Sequence, residues 1–331
     1  MNVVENIDAT GPARFPEAGP IDQPPALPRS VSKSEQHRAS FEWLRLVSCM
    51  GIIWFHCEAP VAVVGYAGLP ALIALSVGLA SVPGKVVSLP VIIKKRARRL
   101  LLPWIFWCLI YSIWRLASTW IMKKPMGEAF QGWMLFVGPS IHLWYLPFAY
   151  VATCLAGVIN GGRPSSGWAN SIFWTLCAVI TFLLCSWWMS AYSIPIPLLQ
   201  WTFGLPAVLI GLALPQMHRR EYKRLGMASL ALAIALAGIA AWLCGWRELT
   251  VPYMLGTLAL AAAWVLPMSA SPKVVWLGSL SYGVYLVHPL ISSFTRWATG
   301  THPGAGLAII VAILSILLVA LLRRGPLEQF M

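Results

Sequence analysis

The sequence predicts an all-α integral membrane protein of about ten transmembrane helices, with both termini in the cytoplasm. Three observations carry this. Of the 331 residues, 58% are hydrophobic and only 11% charged, against about 25% charged in an ordinary soluble domain, and the mean hydropathy is +0.71. From Phe41 onward, apolar stretches near the roughly 20 residues needed to cross a bilayer recur, separated by short polar or Pro/Gly breaks. The basic residues also segregate. With the N-terminus inside, eighteen of the 24 Lys and Arg fall in cytoplasmic segments and four (Lys123, Lys124, Arg247, Arg296) in outer loops. The other two, Arg45 and Arg115, lie within spans. That asymmetry is the expected mark of cytoplasmic loops. A water-soluble enzyme, a disordered chain and a nucleic-acid binder are excluded, and the net charge of +13 reads as topogenic.

Residues 1–40 carry six prolines and mixed charge without an apolar run, which predicts a disordered cytoplasmic tail. No basic flank leads into an early apolar core, so the segment is not read as a signal peptide. Residues 41–331 form the membrane domain. Its predicted spans are 41–57, 61–80, 100–121, 141–160, 171–190, 198–215, 227–244, 252–268, 277–296 and 304–322. Each is a near-continuous apolar run, hence a helix and not an alternating barrel strand. The seven cysteines lie in or beside these runs without metal-ligand spacing. They predict small buried hydrophobes, no disulfide framework and no metal.

Ionisable groups at membrane depth are costly and therefore candidates for function. Arg45 and His56 share the first span. Eleven positions at 100° leave a 20° offset, so both project from one face, about 16 Å apart; the alternative is a snorkelling arginine and an interfacial histidine. Glu58, two residues beyond His56, is a loose candidate for orienting it, because i+2 does not share a helical face. In the run KKRARRLLLPW (94–104), Arg96 and Arg99 stack at i and i+3. They suit a phosphate-bearing ligand approached from the cytosol, or serve only as the positive-inside signal. In the ninth span Ser281, Tyr285 and His288 form a polar stripe, which is either a site or interhelical hydrogen-bond glue. His142 sits among aromatics at the start of the fourth span, where the aromatic-belt reading is the stronger one. Arg115 lies 160° from Arg99 on an ideal helix and is expected to snorkel outward, with no role.

At these residues the chain resembles acyltransferase family 3, a family of polytopic membrane acyltransferases. Four patterns match in order. They are the Arg-x10-His pair (Arg45, His56), the Arg-x-x-Arg followed by proline (Arg96, Arg99, Pro103), the HLWFLP-like segment (His142–Pro147), and a SYxxYLxHxPL-like segment (Ser281, Tyr282, Tyr285, Leu286, His288, Pro289). The PLEQF ending is similar to the family's Glu-x-Pro-Phe tail. One departure is the second helix, PALIALSVGLA where the family reads like PxFFxxSGYL; Pro70 and Ser76 hold the spacing, the aromatic pair is lost, and altered packing is expected.

The resemblance implies transfer of an acyl group, commonly acetyl from acetyl-CoA, onto a carbohydrate hydroxyl such as one of a cell-surface glycan or exopolysaccharide. The implied partners are a carbohydrate acceptor, free or lipid-linked, and the lipid bilayer, and the implied location is a bacterial cytoplasmic (inner) membrane. Implied roles are catalysis for His56 and Arg45, donor binding for Arg96 and Arg99, and acceptor binding for Ser281, Tyr285, His288 and His142. A transporter or flippase-like protein with an intramembrane Arg/His path is the competing class. The broken helices and inverted repeats of common transporters are not evident.

Overall fold

The structure, a computed structural model, describes residues 33–81, 88–160, 168–215, 220–266, 268–269 and 271–331. Among them every regular element is helical, and each of the ten apolar stretches has most of its described residues in helix. In order these are α1 (Lys33–His56), the short α2 (Ala62–Gly65) leading into α3 (Gly68–Ala80), and α4 (Leu89–Arg96). A π-helical turn (Ala97–Leu101) joins α4 to α5 (Leu102–Ile121). After a short α6 (Met134–Val137) come α7 (Tyr145–Asn160), α8 (Trp168–Ala191), α9 (Leu198–Ala213), α10 (Arg220–Leu243), α11 (Thr250–Val265), α12 (Pro272–Thr299) and α13 (Ala305–Leu322). Helix α1 begins at Lys33, inside the segment expected to be a tail, while residues 1–32 lie outside the described residues.

Seven helical runs are long and apolar enough to cross a membrane: Ala62–Ala80, Leu89–Ile121, Ile141–Ile159, Ala169–Ala191, Lys223–Leu243, Pro272–Thr299 and Ala305–Leu322. The chain is thus an integral membrane protein. The remaining three stretches miss the criterion for visible reasons. Helices α9 and α11 have 16 residues each, about 24 Å against a core of about 30 Å, and the first half of α1 carries charge. Lipid-facing stripes are explicit on α13, where Ile309, Ile313, Leu317 and Leu321 recur every four residues and each is more than half exposed. An apolar face of that kind is stable only against lipid.

The third predicted span begins earlier than expected. Leu89–Ile121 is 33 residues long, about 50 Å, so its basic N-terminal third extends beyond the hydrocarbon as helix and not as loop. Lys and Arg are good helix formers, and Pro90 occupies the first turn of α4, where a missing N–H is harmless.

Helices α1 and α12 pack side by side in the same direction. Near their starts, a β-carbon on Gly278 would meet the Glu42 carboxylate at 2.7 Å. Midway, the Cys49 thiol points at the Ser281 carbonyl (3.3 Å). At the far end the His56 and His288 rings lie 5.3 Å apart. Helix α13 returns antiparallel: the Gly304 amide donates to the Cys57 carbonyl (2.7 Å), and Arg323 donates to the Ser279 hydroxyl (2.8 Å). The last turn, Pro326–Phe330, hooks onto α5, with Phe330 stacked on Phe106 at 4.4 Å. All seven cysteines are free; Cys49, Cys57 and Cys185 are buried, and Cys244 is exposed, contrary to expectation.

Helix α2 meets α1 backbone to backbone at two glycines. A β-carbon on Gly65 would stand 2.2 Å from the Gly51 carbonyl oxygen, and one on Gly51 2.7 Å from that of Gly65. Small residues allow this approach in membranes. Gly65→Leu is expected to separate the two helices and cost roughly 1–3 kcal/mol, read as a lowered Tm and a broadened size-exclusion peak in detergent.

Candidate functional site

The four sequence patterns, scattered over some 250 residues, meet between α1, α5, α7 and α12. Proline builds the innermost part. Pro289 lies inside α12 and has no N–H to give the carbonyl four residues earlier, which belongs to Tyr285. That carbonyl is taken by His288, whose Nδ1 lies 2.8 Å away. Because the carbonyl only accepts, Nδ1 carries the proton and Nε2 holds a free lone pair. His288 is fully buried, and its Nε2 has no hydrogen-bond partner among the described residues. The His288–Pro289 step in α12 thus fixes one imidazole tautomer.

His142 lies beside it, with ring centroids 5.7 Å apart. The expected place in an aromatic belt at the membrane surface is not observed: His142 is buried. The helical turn Ile141–Trp144 follows a loop that folds inward, so the ring enters the bundle before α7 begins. Its Nδ1 meets the Ser140 hydroxyl at 2.9 Å, and its Nε2 is likewise unpartnered among the described residues. The Tyr285 hydroxyl donates to the His142 carbonyl. Tyr111, its ring 5.0 Å from His142, donates to the Leu286 carbonyl (2.8 Å).

His56 is the third imidazole and differs from the others. It ends α1 with an exposed side chain, 5.3 Å from both Phe55 and His288. Glu58 is exposed at a backbone φ of 53° and forms no ion pair with His56, so the suggested orienting role is not seen; the left-handed turn carries Glu58 off the helix. Among the described residues no group of three or more His, Cys, Asp or Glu is arranged to hold a metal ion.

Arg45 occupies a second region. It is half-buried and pairs with Glu42, an almost buried acid one turn earlier. Sequence reasoning had not singled out Glu42, although its i, i+3 spacing to an intramembrane arginine was a usable signal. Glu42 keeps Oε2 without a partner. Tyr145 stands next to this pair; its hydroxyl meets Ser76 on α3 at 3.2 Å, and the charges of Arg45 and Arg99 both reach it. Ser76 thus brings α3 to the site despite the lost aromatic pair, while Val77 packs into the notch at Gly211 of α9.

Arg96 and Arg99 interact electrostatically. They are not stacked on a regular α-face, because the π turn intervenes between them. Arg96 is half-buried and Arg99 exposed, and the Arg99 carbonyl accepts from the Tyr282 hydroxyl (3.4 Å). Ser281 is buried one turn from Tyr285, its hydroxyl unpartnered. Tyr145 and Tyr285, with rings 5.4 Å apart, connect the arginine region to the histidines. Arg115 reaches the loop that follows α5, its Nε donating to the Ala129 carbonyl. An ideal-helix count from Arg99 does not hold across the π turn, and the loop after α5 folds back over it.

These features bring three imidazoles together between the helices, beside a cationic region. An acyltransferase-domain family model, that of acyltransferase family 3, matches residues 38–324. The chain belongs to that family and is a membrane acyltransferase. Comparison with curated proteins and with solved structures yields no match.

Proposed function

We propose that the protein is an O-acyltransferase that moves an acyl group, acetyl in the simplest case, from acyl-CoA to a hydroxyl of a cell-surface or secreted carbohydrate. The bilayer would be a bacterial inner membrane. The observation that carries this reading is the chain of groups from Arg99 through Tyr145 and Tyr285 to three imidazoles. Arg96 and Arg99 would hold the phosphates of coenzyme A, as paired guanidiniums do. Arg45, steadied by Glu42, would orient the donor's arm and offset negative charge developing on the thioester oxygen.

His56 then takes the proton of the acceptor hydroxyl as its oxygen attacks the thioester carbon. The carbon–sulfur bond breaks, the thiolate of coenzyme A leaves, and the imidazolium returns the proton to it. Ester and free thiol are the products. His288, with its Nε2 lone pair free, and His142 beside it support the charged form of His56; together with Ser281 and Tyr285 they border the acceptor.

Ten spans with both ends cytoplasmic is the topology that accompanies this reading. It is supported by the eighteen-to-four basic split and by α1 and α12 running the same way. A reporter fused after Arg324 should register inside; an external signal overturns the topology. The direct test of function uses the purified protein in nanodiscs with acetyl-CoA and no acceptor. Slow release of free thiol, abolished in the His56→Ala variant, is expected. A transporter would leave acetyl-CoA intact, and that result ends the enzyme reading.

A further inference from the structure

A cavity of about 650 Å³ opens at the far end of α5, lined by Arg115, Ser118, Thr119, Lys124 and Gln131 among others. A smaller one of about 200 Å³ shares Arg115 and Ser118 with it and reaches Tyr111, Ser140, Pro289 and Ser293. The larger volume lies within the roughly 300–1,000 Å³ usual for small-molecule sites. The smaller ends beside the histidines: Ser140 is the partner of His142 Nδ1, Tyr111 packs on the same ring, and Pro289 follows His288. The two therefore make a passage from the loop side to the acid–base centre, on the face away from Arg96 and Arg99.

The chemistry of the passage is specific. Its lining holds two cations, Arg115 and Lys124. Arg115 is held from behind, its Nε on the Ala129 carbonyl and Nη1 3.5 Å from the Pro139 carbonyl. An arginine fixed by carbonyls at one edge presents its remaining N–H donors in a rigid fork, the geometry that reads a carboxylate or phosphate. Ser118, Thr119 and Gln131 add neutral partners suited to sugar hydroxyls. We infer that this passage is the acceptor site and selects an acidic saccharide, one bearing a carboxylate or phosphate that docks on Arg115 and Lys124. The inference rests on the acyltransferase reading for what happens to the sugar, but the binding it predicts can be measured alone.

The test uses protein in phosphatidylcholine nanodiscs, where no anionic headgroup competes, and calorimetric titration with p-nitrophenyl β-glucuronide, glucose 6-phosphate and the neutral p-nitrophenyl β-glucoside. At least one anionic sugar should bind tenfold or more tightly than the glucoside. Arg115→Gln, which keeps a donor for Ala129, should erase the preference, and Arg115→Lys should restore part of it. If Arg115→Gln is not monodisperse, Lys124→Gln, at an exposed position, should narrow the preference. Equal affinities, no binding of any of the three sugars, or a preference that survives both glutamine substitutions overturns the inference. Absence of thiol release from the wild type, with the anionic preference intact, overturns the enzyme reading and leaves the cavity's selectivity standing.

Discussion

Replacing His56 by alanine is expected to lower acyl transfer by about 10²–10⁴-fold, the usual weight of general acid–base catalysis, without unfolding the protein. His56 ends α1 with its side chain exposed, so truncation leaves no core cavity and strands no partner. His288→Ala should behave differently. It removes the donor that satisfies the Tyr285 carbonyl beside a proline that cannot replace it, and a buried carbonyl left unpaired costs about 1–3 kcal/mol. The expected signature is a lowered Tm with a smaller loss of transfer per folded molecule. Ester-linked acyl content of the glycan in cells at matched expression, together with thermal unfolding of both variants, separates the two. Full acylation with His56→Ala alongside none with His288→Ala reverses the assignment of the base.

The second large effect is on donor binding. Charge-assisted contacts contribute roughly 1.5–3 kcal/mol each, so Arg96→Ala combined with Arg99→Ala should weaken acyl-CoA binding by about 10²–10⁴-fold. The π turn sharpens this expectation. It breaks the regular i, i+3 stacking but leaves the two guanidiniums within electrostatic reach, one half-buried and one exposed, a pair able to grip an anion from two depths. Lys94, Lys95 and Arg98 remain to hold the helix in its orientation. Titration of the double variant with desulfo-acetyl-CoA, which cannot be turned over, reads the donor site without turnover; unchanged affinity reduces the pair to a topogenic role.

Much of this arrangement was legible in the residues because the bilayer leaves few choices. A run such as AGLAIIVAILSILLVALL has one stable form in lipid, and α13 takes it. The His-Pro pair at 288–289 was visible, although its consequence, a carbonyl released to a histidine, needs the helix geometry. The start of the third span was misread because KKRARR lacks apolar periodicity, while helix formation requires only residues that tolerate it. His142 was misplaced for another reason: a histidine among Trp, Tyr and Leu looks the same in a membrane belt and in a core, and the inward turn of a preceding loop decides between them. Arg115 was dismissed by counting 100° per residue across a stretch where the π turn makes that count fail. Glu42, the acid that pairs with Arg45, was simply overlooked.

The parallel pairing of α1 with α12 also bears on how the molecule is made. Helix α1 leaves the ribosome well before α12, carrying Glu42, Arg45 and His56, and more than two hundred residues of chain separate it from the α12 residues Gly278, Ser281 and His288. During that interval the Glu42–Arg45 pair must survive without its eventual neighbour. An ion pair within one helical turn can do so on its own, where either charge alone would draw the helix out of the bilayer. Glu42 is therefore as much a travelling companion for Arg45 during synthesis as a component of the finished centre. Nascent chains halted before residue 278 should keep α1 inserted, and the same chains carrying Glu42→Ala should lose it to the aqueous side.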